Sequence, residues 1–200
     1  MSSKPQLFCI TGADGTGKST LVHSLAQQFP QAYVANIWDL LEEHHDLLFR
    51  SKRDIDQYLC ALTPDARLLF LAHALKYSID KALRSGATVI FFNAYYYKYF
   101  ATELALGANA ALVKNLEADF PRPHKVVRLQ LDPVSAAARK SQFSRYECGA
   151  VAIPSAETFV RFQQQAALAW KMFDTNGWKT IDASLSPDEV LAQTLTFFEA

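Results

Sequence analysis

Eight consecutive residues, Gly12-Ala13-Asp14-Gly15-Thr16-Gly17-Lys18-Ser19, fit the pattern G-x-x-x-x-G-K-[ST] in full. Nothing else in the chain constrains the fold as tightly, because the pattern serves its purpose only between a strand and a helix. A phosphate chain needs several backbone N–H donors converging on it, and only glycines permit so tight a loop. The helix that follows aims its positive end at the same anion. The flanks agree. Leu7-Phe8-Cys9-Ile10 is a short apolar run that reads as a buried strand. Leu21, Val22, Leu25 and Ala26 then recur at helical spacing until Phe29-Pro30. The residue types assign the roles: residues 12–20 bind a nucleoside triphosphate, Lys18 neutralises its β- and γ-phosphates, and the Ser19 hydroxyl ligates Mg²⁺.

The rest of the chain alternates strands with helices. Strands are predicted over residues 31–37, 88–92, 125–131 and 178–182. The segment Thr88-Val89-Ile90-Phe91-Phe92 has no polar alternation, as a central parallel strand requires. Helices are predicted over residues 38–50, from Thr63-Pro64 to Gly86, over 95–106, 108–118, 133–140 and 155–176, and from the capping box Ser186-Pro187-Asp188-Glu189 onward. Residues 141–154 show no period and read as a loop. This order specifies an α/β architecture: a P-loop, three-layer fold with about five parallel strands flanked by helices and a short lid near residues 140–155. Residues 1–200 read as one domain.

Composition removes several classes of function. Twenty basic residues balance twenty acidic ones, so no overall field recruits nucleic acid or an anionic membrane. Three unpaired-looking cysteines (Cys9, Cys60, Cys148), with no Cys-x-x-Cys, suit a reducing compartment. No apolar run approaches a bilayer span, so a cytoplasmic location without membrane partners is expected. Charge is nevertheless clustered locally. Residues 122–145 hold six basic residues (Arg122, Lys125, Arg128, Arg139, Lys140, Arg145) against one acidic, Asp132, which predicts an anionic ligand held at one place.

Phe8-Cys9-Ile10-Thr11-Gly12 through Lys18-Ser19-Thr20 resembles the opening of thymidylate kinases, E-G-x-D/E-G-x-G-K-S/T-T. Leu68-Leu69-Phe70 resembles that family's L-L-F-A-A-x-R segment, whose phenylalanine stacks on the thymine. Ser144-Arg145-Tyr146-Glu147 is similar to the lid motif D-R-x-E, and Ile181-Asp182-Ala183-Ser184 to the loop beside adenine. The resemblance implies an ATP- and Mg²⁺-dependent phosphotransferase, formally converting dTMP to dTDP. It implies that Arg145 and Arg139 close over the transferred phosphoryl group and Ala183 lies by adenine. Asp14, Asp39, Phe70, Asn93 and Tyr95 would face the acceptor. Family members are usually homodimers, and the apolar residues 66–75 are compatible with that.

The departures fall on one side of the reaction. No R-E-P-G-G segment follows the second strand; Ala35-Asn36-Ile37-Trp38-Asp39 stands there. The base-contacting arginine falls on Ala74, and the D-R-Y/H motif on Asn93-Ala94-Tyr95. No alanine replaces a bidentate guanidinium opposite phosphate. Thymidylate is therefore expected to be a poor acceptor, although Lys98 or Arg50 offers a substitute cation. A kinase for another small acceptor, or a nucleotide binder with little turnover, stays open. A GTPase switch does not fit, for want of Asn-Lys-x-Asp. Glu42-Glu43-His44-His45-Asp46 offers a metal-binding pattern, but a solvated helix face is the simpler reading. Core packing is likewise the simpler reading for residues 95–99, Tyr-Tyr-Tyr-Lys-Tyr.

Overall fold

The computed structural model describes residues 4–44 and 49–199. Five parallel strands, β1 (Gln6–Gly12), β2 (Ala32–Asn36), β3 (Val89–Asn93), β4 (Lys125–Gln130) and β5 (Lys179–Asp182), form one sheet in the order β2-β3-β1-β4-β5. β1 lies at the centre, paired with β3 (Phe8 opposite Phe91) and β4 (Ile10 opposite Val127). Its residues from Leu7 to Gly12 are all buried, which accounts for the unbroken apolar run in the sequence.

Helices cover both faces. α1 (Lys18–Gln28) and α9 (Pro187–Glu199) pack over Phe8, Ile10, Phe91, Val127 and Ile181. The other face carries α4 (Pro64–Arg84) and α5 (Tyr96–Ala105), packed over Cys9, Ile90 and Phe92. Capping follows the predicted chemistry. Thr63 accepts the Ala66 N–H with Pro64 in the first turn, and Ser186 and Glu189 bond each other's backbone reciprocally. The apolar segment 66–75 of α4 is covered on one side: Arg67, Leu68, Leu71, Ala72 and Leu75 face inward, while Leu69 is exposed.

Three further helices are α6 (Ala110–Glu117), α7 (Pro133–Ala138) and α8 (Ala156–Ala169). α8 is shorter than the predicted 155–176, because a 3-10 turn, Trp170–Met172, takes over and Phe173 turns extended. The predicted helix over 38–50 is only a short α2 (Asp39–Glu43); residues 45–48 lie outside the described residues. A separate α3 (Lys52–Ala61) went unpredicted, although Ser51 caps it by accepting the Asp54 N–H. Within residues 141–154 there is a 3-10 turn, Tyr146–Cys148. No helix among the described residues is long and apolar enough to cross a membrane, and all three cysteines are free thiols.

Candidate active site

A cavity of about 760 Å³ opens along the carboxyl ends of the strands. That is where ligands bind in open parallel sheets, because the helix N-termini and the connecting loops converge there. The loop after β1 lies in the middle, Ala183 after β5 is on one flank, and Asn36 and Asn93, the last residues of β2 and β3, are on the other.

The central loop depends on its glycines. Gly12 has φ +140° and lies so close to β4 that a Cβ would stand 2.4 Å from the Leu129 carbonyl oxygen. At Gly15 (φ +79°) a Cβ would meet the Ala136 carbonyl at 2.9 Å. Neither position accepts a side chain without moving backbone. Gly12 and Ala13 themselves do not line the cavity; they shape the loop. The Ala13 carbonyl accepts the Thr16 hydroxyl at 2.9 Å and the Lys18 ammonium at 2.5 Å. Residues from Asp14 to Thr20 do line it.

Lys18 is thus curled over its own loop. Burial first, then Lys98 and Lys140, pull its pKa down to about 8, against Asp14 and Glu147, which raise it. A triphosphate would give this cation the counter-charge that it lacks. Asp14 pairs with Lys98 at 3.1 Å. Burial works to raise the Asp14 carboxyl, but Lys98 and Lys18 outweigh it and hold the group below its ordinary value. Ser19 accepts a hydrogen bond from the Asn93 amide at 3.2 Å, and both side chains line the cavity. This donor set suits Mg²⁺, which keeps most of its water and takes few protein ligands. Among the described residues no cluster of three His, Cys, Asp or Glu residues offers a richer metal site.

On the β5 flank Arg139 donates to the Ala183 carbonyl at 2.9 Å, and both line the cavity. The other predicted lid arginine does not. Arg145 turns its guanidinium to the Val151 carbonyl, Nε to O 3.0 Å, while its neighbours Ser144, Tyr146 and Glu147 face the cavity. The 3-10 turn that fixes this orientation is held by Asp56 of α3, which accepts the N–H groups of Arg145 (3.2 Å) and Tyr146 (2.9 Å).

Three predicted acceptor residues lie elsewhere. Phe70 packs its ring on Phe49 and Tyr58, the latter from α3, at 6.1 and 5.3 Å between centroids. Asp39 accepts from the Ser78 hydroxyl at 3.1 Å and from the Asn36 N–H at 3.3 Å, joining α2 to α4. Tyr95 is fully buried, stacked on Phe92 at 4.4 Å, and its hydroxyl donates to the Pro121 carbonyl. In their place the β2/β3 flank presents Asn36, Trp38, Lys98, Tyr99 and Tyr146. Lys98 was legible as the one cation of α5.

The basic cluster of residues 122–145 converges only in part: Arg139 lines the cavity and Lys140 acts on Lys18, while Lys125, Arg128 and Arg145 turn elsewhere. Lys125 donates to the Phe197 carbonyl, Arg128 lies over the Trp170 ring at 4.5 Å, and Lys140 pairs with Glu147 at 2.9 Å. Alternation along β4 sends Lys125 and Arg128 to opposite faces of the sheet. The predicted metal pattern at residues 42–46 falls partly outside the described residues. Within them, Tyr77 donates to Glu43 and contacts His44 at 3.0 Å, and Lys81 also pairs with Glu43.

A second charged group lies beneath the lid. Glu103 of α5, fully buried, accepts Arg67 Nε at 2.8 and 2.9 Å and the Tyr146 hydroxyl at 2.8 Å. Arg67 also donates to the carbonyls of Leu59 and Leu62. This network went unpredicted; its traces in the sequence are Arg67 within the apolar segment 66–75 and Glu103, the one acidic residue of α5.

Residues 10–194 match the family model for thymidylate kinase. A probable thymidylate kinase of Pyrobaculum aerophilum is 28% identical over 195 residues, covering 92% of this chain and 91% of its relative. Among solved structures, the thymidylate kinase of Candida albicans superimposes with a TM-score of 0.70 at 20% identity, over 100% of this chain and 93% of the other. Deoxyadenosine kinase from M. mycoides, determined with bound dATP, gives 0.67 at 12% identity, over 98% and 100%. Those two likenesses establish the P-loop kinase fold, and the match to the family model goes further. The chain belongs to the thymidylate kinase family, and is a thymidylate-kinase-like phosphotransferase acting on nucleotides.

Proposed function

We propose that this chain transfers the γ-phosphoryl group of ATP, with Mg²⁺, to a nucleoside monophosphate, formally dTMP + ATP giving dTDP + ADP. The observation that carries the reading is one continuous cavity with the phosphate loop at its middle and separate flanks for two ligands. ATP lies toward Ala183 and Arg139, with its phosphates on Lys18 and the loop. The acceptor lies toward Asn36, Trp38 and Lys98. An oxygen of the acceptor phosphate attacks the γ-phosphorus, the bond to ADP breaks, and ADP leaves.

Little covalent chemistry falls to the protein, which aligns the two phosphates and neutralises the charge between them. Lys18 and Arg139 supply cations for that charge. Ser19 would hold Mg²⁺ on the donor phosphates, supported by the Asn93 amide, and the ion would supply further charge neutralisation there. The resemblance to the family supports a homodimer, with exposed Leu69 and Leu83 on the outer face of α4 available for the contact. Three free thiols favour a reducing, cytoplasmic setting. Residues 1–200 act as one domain, with residues 140–155 as its lid.

The test is ADP formation with a panel of deoxynucleoside monophosphates, in wild type and in Lys18→Ala. Monophosphate-dependent ADP formation that disappears with Lys18→Ala is expected. A wild-type protein that turns over no monophosphate would overturn the reading.

A further inference from the structure

Lys98 is an expensive residue to keep. Its side chain is 10% exposed, on a helix whose neighbours are tyrosines and phenylalanines, yet it lines the cavity. A buried charge pair is often no more stable than apolar residues of the same volume, so stability alone does not account for the Asp14–Lys98 pair. The ammonium has three donors, and among the described residues its ion pair is with Asp14 alone. The ring faces of Tyr99 and Tyr146 lie 4.7 and 5.7 Å away, which hold the cation in place without neutralising it.

Position matters as much. The cavity's other cations are Lys18, on the phosphate loop, and Arg139, bonded to Ala183 on the donor flank. Lys98 is the cavity-lining cation on the β2/β3 flank, where the arginine expected at residue 94 is an alanine. We propose that Lys98 binds the phosphoryl group of the acceptor, in place of the guanidinium missing at residue 94. Asp14 orients the ammonium while the flank is empty and remains beside it when the acceptor is bound. An anion between Lys18 and Lys98 then meets a cation from each side, one from the donor loop and one from α5.

This inference rests on the function proposed above. Its test compares wild type, Lys98→Met and Lys98→Arg, using dTMP, dGMP and dCMP and, as ligands lacking the phosphate, the corresponding nucleosides. Loss of a charge-assisted hydrogen bond raises KM for the monophosphates roughly ten- to a hundredfold in Lys98→Met. The dissociation constants of the nucleosides, which have no phosphate to offer, stay within about twofold. Lys98→Arg restores most of the monophosphate affinity. An ATP-dependent thermal shift retained in Lys98→Met shows that the variant is folded. Equal weakening of nucleosides and monophosphates would make Lys98 a structural residue and overturn the proposal, as would an unchanged KM. If Lys98→Met does not fold, Lys98→Arg and Lys98→Gln carry the same comparison. Failure of the wild type to use any monophosphate would strike the functional reading itself.

Discussion

Replacing Glu103 by alanine tests whether the network beneath the lid is as buried as its geometry indicates. The carboxylate is fully buried and Arg67 keeps a side-chain exposure of 3%. Without Glu103 the guanidinium retains the Leu59 and Leu62 carbonyls at 2.9 and 3.2 Å, which satisfy N–H groups but bring no negative charge. The Tyr146 hydroxyl also loses its acceptor. Breaking a buried pair from one side costs about 3–5 kcal/mol, most of it the desolvation of the orphaned charge. For a chain of this length each kcal/mol shifts Tm by ~2–4 °C, so Glu103→Ala is expected to lower Tm by about 6–20 °C. Thermal unfolding followed by circular dichroism measures this. The decisive companion is the double variant Arg67→Met/Glu103→Leu, which removes both charges and should recover most of the loss. A single variant within about 1 kcal/mol of wild type, or a double variant as unstable as the two singles together, would refute the reasoning.

Three further outcomes are expected. Lys18, with its pKa held near 8, gains a triphosphate partner when ATP binds, which raises that pKa. ATP binding at pH 8–9 should therefore take up a fraction of a proton, seen as a buffer-dependent calorimetric enthalpy, and affinity should fall up to ~10-fold per pH unit above pH 8. In the protein without ligand the sign is opposite: the depressed pKa means that the unfolded chain binds the extra proton above pH 8, so this residue's contribution to stability improves as pH rises toward its unfolded value. Arg139→Ala, on the cavity, should lower kcat by about 10²-fold, whereas Arg145→Ala, bonded to Val151, should cost under about tenfold; the reverse order would mean that Arg145 leaves Val151 during turnover. Without arginine at residues 74 and 94, each lost charged hydrogen bond is worth ~1.5–3 kcal/mol, so kcat/KM for dTMP should lie below ~10⁴ M⁻¹s⁻¹, and a higher value would show that the rebuilt flank compensates fully.

The fold was legible wherever local chemistry and burial point the same way. β1 and β3 are buried on both faces, so their residues carry an apolar run that no helix of the same length needs. Thr63 with Pro64, and Ser186 with Glu189, announce helix starts by side chains that satisfy orphan backbone N–H groups. α3 is amphipathic, with Ile55 and Leu59 packed on the core, but most of its residues are charged or polar, and Leu59 is the one buried side chain among those described in it. Its main partner is not the sheet but the 3-10 turn of the lid, held through Asp56. That contact is made through a carboxylate, so it adds nothing to the apolar spacing of Ile55 and Leu59 from which a helix is read.

The same distinction separates the two halves of the site. The donor loop is built from backbone, and backbone geometry leaves its mark on the sequence directly, since Gly12 and Gly15 lie where a Cβ would strike the carbonyls of Leu129 and Ala136. The acceptor flank is built from side chains, whose directions depend on neighbours distant in sequence. Tyr95 and Lys98 are three residues apart, yet the first is drawn into the aromatic core by Phe92 and Pro121 and the second is drawn out of it by Asp14. Ala94, at φ 50°, makes the turn that separates Asn93, beside Ser19, from Tyr95, beneath the cavity floor. Replacing the arginine expected at residue 94 with an alanine left a charge-shaped need on that flank. Lys98, four residues later and on α5, brings a cation to that flank from the helix rather than from the loop after β3, so the sequence offers Lys98 and Arg50 as alternatives and the cavity lining singles out Lys98.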